Sequence, residues 1–415
     1  MKQRTPYYGT MAIAMAMAKT IAMAMAKAKT IAMAIAMAIA LTGCIDEYEA
    51  DIASEYADLL VVEGTIVSAR QNVFVLSLTQ PLNSSHTPRR VTGATVTVCG
   101  SDGSAYAAQE VDGEYVCTVG DLDPEATYWL HIEADGEVYE SEPQKPLRTE
   151  PIDVVNAVQA TPESDIDVLI TPEAPADPDA VNYYSWTYDE TWEVRPDYTS
   201  VIYFDTKLRT AVFKPDLYPM LGWMLATSHT ITVATSLNYE GQHIRRLKLY
   251  GLDRGDERVF YRYSGLVHQR AITKAEYEYD RARRQAGTEM GGLFTPLPSA
   301  LPTNIRCLTS RKHVIGFVGC SLNTSEYRFF VDAVDYSIDH PWPRDSRQWL
   351  DDCNELDCLR MANSGLHLCE WIDERDRPQG KLRTAWAYDF QLDVRLKGAT
   401  DVEPDYWSLD EDVRY

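Results

Sequence analysis

The sequence lacks the short motifs by which many enzyme classes are recognised. It contains no Gly-x-Ser-x-Gly, no His-Glu-x-x-His, no phosphate-binding glycine-rich loop and no dinucleotide fingerprint. Histidine is scarce, with 8 in 415 residues, and a scattered histidine is more often packed or solvated than a catalytic base. Acidic pairs are frequent, but a chain with 62 carboxylates contains them by chance, so they do not indicate a glycosidase. The sequence therefore predicts no catalytic residue, no enzyme activity and no cofactor.

Basic residues are few relative to acidic ones. The chain has 39 Lys and Arg against 62 Asp and Glu, which gives a formal net charge of −23. Residues 1–43 contain five Lys or Arg and no acidic residue, so the remaining 372 residues carry −28. Nucleic acids are polyanions, and this charge argues against them as partners. The apolar content of 45% is sufficient for buried cores, and the length predicts two or three domains.

No apolar run in the N-terminal segment is long enough to cross a bilayer, which takes about 20 residues. Residues 11–40 alternate Ala, Met and Ile, and Lys19, Lys27 and Lys29 interrupt them. Both partners of the alternation are apolar, so the period of two does not define the face of a strand. We interpret this segment as a secretory signal peptide lengthened by low-complexity repetition.

The apolar segment ends at Leu41-Thr42-Gly43-Cys44, which resembles the lipobox of bacterial lipoproteins. In such proteins the signal peptide is cleaved before the cysteine, here between Gly43 and Cys44, and a diacylglycerol is joined to the cysteine thiol. The motif predicts a signal peptide over residues 1–43 and a lipid bilayer anchor at Cys44. The alternative is an ordinary signal peptide followed by an unmodified cysteine.

Residues 44–56 follow as an acidic tether. Asp46, Glu47 and Glu49 stand directly behind the predicted anchor. Acidic residues at this place resemble the surface-export signal of Bacteroidota lipoproteins, although a solvated tether would have the same composition. We predict an outer-membrane, lipid-anchored protein displayed at the cell surface.

Residues 57–150 are predicted to form an immunoglobulin- or fibronectin-like β-sandwich. Short apolar runs alternate with turn residues over Leu59–Val62, Val73–Leu78, Ala94–Val98, Tyr115–Val119 and Tyr128–Ile132. Asp-Gly pairs at 102–103, 112–113 and 135–136 are strong hairpin signals because Gly tolerates positive φ. Such a module is a scaffold more often than a catalyst.

A Pro- and acid-rich stretch over residues 151–180 is predicted to be a linker, and residues 181–415 a larger β-rich domain with one or two surface helices. Its strand signals begin at Tyr183–Val194. Thr273-Lys274-Ala275-Glu276 is typical of a capping box, which predicts a helix that starts there and stops at Gly287 with its tyrosines facing inward.

Seven cysteines remain if Cys44 is lipidated, and an odd number leaves at least one thiol without a partner in the chain. The predicted export favours disulfides. Cys99 and Cys117 end neighbouring strand candidates and are candidates for a bridge. Cys353, Cys358 and Cys369 crowd a predicted loop, for which a metal site is the alternative. Zinc sites favour two short Cys pairs, and this loop has one, so we predict a disulfide-stapled loop and no metal.

Trp342, Trp349 and Trp371 lie close to this cysteine-rich segment in the sequence. Together they are candidates for an aromatic platform that binds a ligand or a protein partner. The alternative is that they are core or rim residues, since aromatic side chains are frequent in β domains in general.

A set of motifs distributed along the chain resembles a known family. In chain order they are Gly64, Asp177-Pro178, Asn182-Tyr183-Tyr184, the stretch from Tyr263 to Tyr279, Gly292-Leu293-Phe294-Thr295-Pro296-Leu297-Pro298-Ser299, Asn304-Ile305-Arg306-Cys307 and Val314-Ile315-Gly316-Phe317. Their order and spacing resemble the Bacteroidota lipoprotein family described as domain of unknown function 4249. The resemblance implies a surface or outer-membrane lipoprotein whose gene lies near genes for TonB-dependent transporters, and no catalytic residues are established for the family.

Three functions from different classes compete at this point. The first is a non-catalytic accessory or ligand-capture lipoprotein associated with a TonB-dependent transporter. The second is a structural or adhesive surface protein, and the third is a hydrolase that uses none of the common motifs. The predicted anchor, the acidic tether and the family resemblance favour the first.

Overall fold

The computed structural model describes residues 58–79, 89–228, 230–288, 301–341 and 344–407. The signal peptide, the tether and Gly43 and Cys44 lie outside these residues, and so does Trp342. The described chain is mostly β, as predicted, and its strands form several packed sheets. Within the described residues, none of the helices combines the length and apolarity that crossing a membrane requires.

Two sheets pack face to face as a sandwich. The first contains β1 (Leu60–Glu63), β3 (Arg70–Leu78), β4 (Arg89–Arg90), β7 (Gln109–Val111), β8 (Glu114–Val119) and β21 (Val314–Gly316). The second contains β5 (Thr95–Gly100), β6 (Ala105–Ala107), β9 (Tyr128–Ala134), β10 (Glu137–Ser141) and β20 (Ile305–Cys307). Alternate residues face the core between them, as Tyr128, Leu130 and Ile132 do from β9.

The Asp-Gly pairs at 112–113 and 135–136 form the predicted hairpin turns. At 135–136 the two residues have φ of 50° and 77°, and the flanking residues Ala134 and Glu137 pair directly. Positive φ at both central residues is the type I′ arrangement, whose twist matches that of the strands it joins. The pair at 112–113 connects β7 and β8 with the same signs of φ.

The sandwich is completed by a segment far along the chain, so residues 57–150 do not form it alone. β21 pairs with β1 in parallel, and β20 pairs with β10. β2 (Thr65–Val67) pairs in parallel with β22 (Gly319–Ser321). The predicted sandwich domain of residues 57–150 is therefore incomplete, because it leaves out β20 and β21. Parallel pairing between distant segments leaves no local period in the sequence from which it could be read.

Much of the predicted linker is a β-hairpin. β11 (Ile152–Gln159) and β12 (Ile166–Pro172) pair antiparallel, and β18 (Leu247–Leu252) extends the sheet. The linker prediction is wrong for these residues, because the prolines stand at the strand boundaries and in the connection between the strands. Ile166, Val168 and Ile170 are fully buried, which shows the two-residue period of a strand with one face in a core.

A five-stranded sheet packs with this hairpin sheet around a second core. Its strands are β13 (Tyr183–Val194), β16 (Gly222–Thr227), β17 (Thr232–Thr235), β19 (Arg262–Ala271) and β23 (Ser325–Asp332). The predicted strand at Tyr183–Val194 is confirmed. It pairs with β19 from Tyr184 to Trp192 and forms the centre of the sheet.

Helix α1 (Lys274–Thr288) follows β19 directly. The Thr273 hydroxyl oxygen accepts a hydrogen bond from the Glu276 backbone N–H at 3.1 Å, which is the bond expected of an N-cap threonine. Tyr279 is 5% exposed and Tyr277 lies 5.3 Å from the Tyr183 ring, so the tyrosines do face inward. The helix continues through Gly287, so the predicted stop is wrong, since glycine also adopts helical dihedral angles.

The C-terminal part forms a third core. It contains the hairpin β14 (Ile202–Asp205) and β15 (Thr210–Phe213), the sheet β24 (Gln348–Asp351), β26 (Leu382–Ala387) and β25 (His367–Asp373), and the helices α2 (Glu355–Asn363) and α3 (Asp389–Leu392). Trp386 and Cys358, both 0% exposed, lie at the centre of this core. With α1, the described residues contain three α-helices where one or two were predicted.

Candidate functional site

Trp349 and Trp371 do not form one platform. They lie on β24 and β25, the two outer strands of a three-stranded sheet, with β26 between them. Trp349 pairs with Ala385, whereas Trp371 pairs with Thr384. Because neighbouring residues of a strand point to opposite faces, the two tryptophans lie on opposite faces of the sheet. The prediction of a shared platform is wrong for this pair.

Trp371 belongs to the core side of the sheet. Its ring stacks with the ring of Phe204 at a centroid distance of 6.2 Å, and Phe204 in turn contacts Trp386 edge-on at 5.8 Å. The side chain is partly buried against the third hydrophobic core. For Trp371 the alternative stated from the sequence, a core or rim residue, is the correct one.

Trp349 lies on the opposite face in an aromatic–arginine cluster, which we name the Trp349 stack. Its members are Tyr198, Arg347, Trp349 and Arg383. The Arg347 guanidinium carbon lies 4.9 Å from the Tyr198 ring centroid and 5.0 Å from that of Trp349. The Arg383 guanidinium carbon lies 5.3 Å from the Trp349 centroid. Cation–π attraction at these distances stabilises the arrangement.

Carboxylates fix the two arginines of the Trp349 stack. Asp345 accepts hydrogen bonds from Arg347 Nε at 2.9 Å and from the Trp349 indole N–H at 3.0 Å. These donors, Arg347 first, hold the pKa of Asp345 well below its usual range. Arg383 Nε on β26 donates to its cross-strand partner Asp351 on β24 at 2.6 Å. The ring of Trp349 is therefore oriented before any partner arrives.

The stack combines Trp, Tyr and Arg, the residue types that dominate the binding energy of protein interfaces. Its guanidinium groups already have carboxylate partners, Asp345 and Glu370 for Arg347 and Asp351 for Arg383, so the surface offers planar aromatic area without a free positive charge. Such a surface suits a protein partner better than a free anion. Within the described residues, no group of three His, Cys, Asp or Glu side chains is placed to hold a metal ion.

Sequence reasoning found Trp349 but missed Tyr198, Arg347 and Arg383. Tyr198 lies about 150 positions earlier in the chain. Two hydrogen bonds hold it at the site, one from its backbone N–H to the Gln391 carbonyl oxygen and one between its hydroxyl and that of Ser346. The alternation Arg347-Gln348-Trp349 at the start of β24 was a usable signal, since residues two apart in an extended segment point to the same side.

The seven cysteines in the described residues are free thiols. Cys117 faces the sandwich core, whereas Cys99 alternates with buried Val98 and lies on the outer face of its own sheet. The bridge predicted between Cys99 and Cys117 is therefore not formed in the structure. Side chains on opposite sides of a sheet cannot meet the narrow geometry of a disulfide.

The segment from Cys353 to Cys369 is not a stapled loop but helix α2 followed by β25. Cys358 is fully buried in the third core, and its burial, followed by the neighbouring Cys353 thiol, raises its pKa to about 12. Cys369 packs in a separate cluster with Ala387 and Leu392. The helix and the packing hold this segment without a disulfide in the structure.

A family model described as "Domain of unknown function (DUF4249)" matches residues 45–327. This range is more than half of the chain. The chain belongs to this family. The DUF4249 match contains the sandwich and four strands of the central five-stranded sheet, and it ends at residue 327, within the fifth strand, β23. Of the Trp349 stack, Tyr198 lies inside the DUF4249 match, and Arg347, Trp349 and Arg383 lie beyond it.

A search of curated proteins finds no match. Among solved structures, trypsin-activated alpha-2-macroglobulin from Escherichia coli is similar over 54% of this chain and 15% of its own length, at 8% sequence identity and a TM-score of 0.17. The DUF4249 chain thus spans a small part of that protein, and a similarity of this size carries no argument about fold or function.

Proposed function

We propose that the mature protein is a lipid-anchored, non-catalytic accessory protein of the outer membrane that binds a membrane partner through the Trp349 stack. A TonB-dependent transporter is the partner we propose, and presentation or capture of its ligand is the role. The structure of the stack is the observation that carries the binding part of this proposal.

The sequence supports the location. The lipobox at Leu41–Cys44 provides an anchor, and the acidic residues behind it suit export. The formal charge of −28 after residue 43 favours a body that stands off an anionic membrane surface. The family resemblance also implies a lipoprotein of the surface or the outer membrane, which agrees with this location.

The stack supports binding because its members are held in place before contact. A partner that covers Trp349 does not have to order its side chain, because Asp345 and Arg347 already do so. Preorganisation of this kind lowers the entropic cost of association. Trp, Tyr and Arg are enriched among hot-spot residues, whose truncation to alanine costs about 2 kcal/mol or more of binding free energy.

Trp349→Ala is expected to reduce recovery of the partner from detergent-solubilised outer membranes by about tenfold or more, since it removes the central ring of the stack. The measurement is affinity purification of the tagged lipoprotein with quantitative mass spectrometry of the co-purified membrane proteins. The thermal midpoint should stay close to that of the wild type, because Trp349 lies on the face of the sheet opposite Trp371 and the third core.

Trp129→Ala is the matched control, because Trp129 is a partly exposed tryptophan on β9 of the sandwich. It should leave recovery of the partner unchanged. Trp371→Ala is the structural comparison and should lower the thermal midpoint, since its ring packs on Phe204. Equal recovery with Trp349→Ala and Trp129→Ala, at equal thermal midpoints, would remove the proposed interface.

A further inference from the structure

A cavity of about 360 Å³ opens between the sandwich, β19 and helix α1. This volume is in the range of sites for small molecules. Its wall combines apolar side chains, among them Val62, Ile231 and Phe317, with hydroxyl and charged groups. None of the residues that line the cavity belongs to the Trp349 stack, so the two are separate features of the molecule.

Five charged side chains line the cavity, and their charges do not cancel. They are Glu63 from β1, Arg270 from β19, and Glu276, Asp280 and Arg283 from α1. Glu276 accepts a hydrogen bond from Arg270 Nη2 at 2.5 Å, which forms one complete pair. Arg283 is shared between Glu63 at 3.5 Å and Asp280 at 3.8 Å. Three carboxylates therefore share two guanidinium groups, and one negative charge is left over.

Asp280 is the carboxylate with the weakest compensation. Its side chain is 9% exposed, and among the described residues its polar contact is the 3.8 Å pair with Arg283. A carboxylate removed from water without hydrogen bonds is costly, and burial raises the pKa of Asp280 to about 6. His268, which also lines the cavity, does not compensate it, since its ring nitrogens contact Asp189 at 2.9 Å and Glu326 at 3.3 Å.

A second polar group in the wall lacks a partner. Arg270 Nη1 is buried and has no hydrogen-bond acceptor in the described structure, although Nη2 of the same guanidinium is bonded to Glu276. Buried N–H groups of this kind are rare in native proteins. This nitrogen lies beside Gly319 and is closed to solvent, so the group that the wall offers to a ligand is the Asp280 carboxylate.

We propose that this cavity binds a small primary ammonium ligand with an apolar body, of the kind that an amino acid amide or a peptide amino terminus presents. The ammonium pairs with Asp280, and the apolar body lies against Phe317 and Val62. This inference does not rest on the proposed transporter partner, because the cavity and the Trp349 stack share no residue.

The test uses L-phenylalaninamide as the probe and 3-phenylpropanamide, which has the same shape without the amino group, as its neutral counterpart. Calorimetric titration of the full-length protein at pH 7.5 should give tighter binding of L-phenylalaninamide by about tenfold or more, the value of a buried charge-assisted hydrogen bond. Asp280→Asn should abolish this preference without lowering the thermal midpoint, because it removes a buried charge and keeps the shape.

Glu278→Gln is the matched control on the same helix, since Glu278 is about half exposed and pairs with Lys274. It should keep the preference for the ammonium probe. Equal affinity for both probes, no binding of either at millimolar concentration, or an unchanged preference in Asp280→Asn would each overturn the proposal.

The wild-type protein provides a second test that needs no variant. Ionised Asp280 binds the ammonium, and its pKa of about 6 means that it takes up a proton as the pH falls. Affinity for L-phenylalaninamide should therefore weaken between pH 7.5 and pH 5. The other titratable and charged groups that line the cavity are Glu63, His268, Arg270, Glu276, Tyr279 and Arg283. Affinity that does not change with pH would contradict the role of Asp280.

Discussion

Gly316→Ala is expected to destabilise the protein by on the order of 3 kcal/mol. Gly316 ends β21, the strand that pairs in parallel with β1, and its φ is +140°. A Cβ atom there would meet the Val62 carbonyl oxygen of the neighbouring strand at contact distances that real structures do not show. The strand would have to move away from β1, and an edge of the sandwich would be lost. Chemical denaturation followed by fluorescence measures the change.

Gly136→Ala provides the comparison. Gly136 also has positive φ, +77°, but an added Cβ would find no atom within 4 Å. Gly136→Ala should lower the free energy of unfolding by about 1 kcal/mol, which is the cost of placing an alanine at positive φ. The difference between the two variants therefore measures the close approach of β21 to β1 together with the extra backbone strain of alanine at φ near +140°. Equal destabilisation by both would show that this parallel pairing contributes little to stability.

Cys44→Ala is expected to abolish labelling of the protein with radioactive palmitate and to block cleavage of the signal peptide before residue 44. Without the thiol, the diacylglycerol has no attachment point, and a stable membrane anchor needs acyl chains that a soluble body does not supply. The measurement is acyl labelling of cells followed by immunoprecipitation, with the N-terminus determined by mass spectrometry.

Cys99→Ala serves as the matched control, because Cys99 is a partly exposed cysteine on the outer face of the sandwich. It should retain both the acyl label and the cleaved N-terminus. A labelled, normally processed Cys44→Ala protein would show that the lipobox interpretation is wrong.

Local features of the fold were predictable from sequence, and distant pairings were not. The strand Tyr183–Val194 and the turn at 135–136 follow from residue patterns within a few positions of each other. β20 and β21 join the sandwich from beyond residue 300, and only their geometry in three dimensions reveals this. The hairpin of β11 and β12 was hidden by composition, since its prolines suggested a linker.

In the candidate site, too, the sequence predicted a residue type but not the contacts that depend on distant parts of the chain. Trp349 was identified by residue type, but its separation from Trp371 depends on which residue of β26 each one pairs with. A register shift between Leu368 and Glu370 on β25 changes this relation, and no period in the sequence shows it. Asp280 was likewise unremarkable as one of 62 acidic residues, because its burial depends on packing of α1 against the sandwich and β19.

Photo-crosslinking from position 349 tests the central claim most directly. A photoreactive phenylalanine analogue replaces Trp349 in cells that export the protein, and irradiation of intact outer membranes precedes purification. The account predicts an adduct with one integral outer-membrane protein from position 349 and none from position 334, where Val334 is 85% exposed directly after β23. No adduct from position 349, or the same adducts from both positions, would contradict the proposed interface.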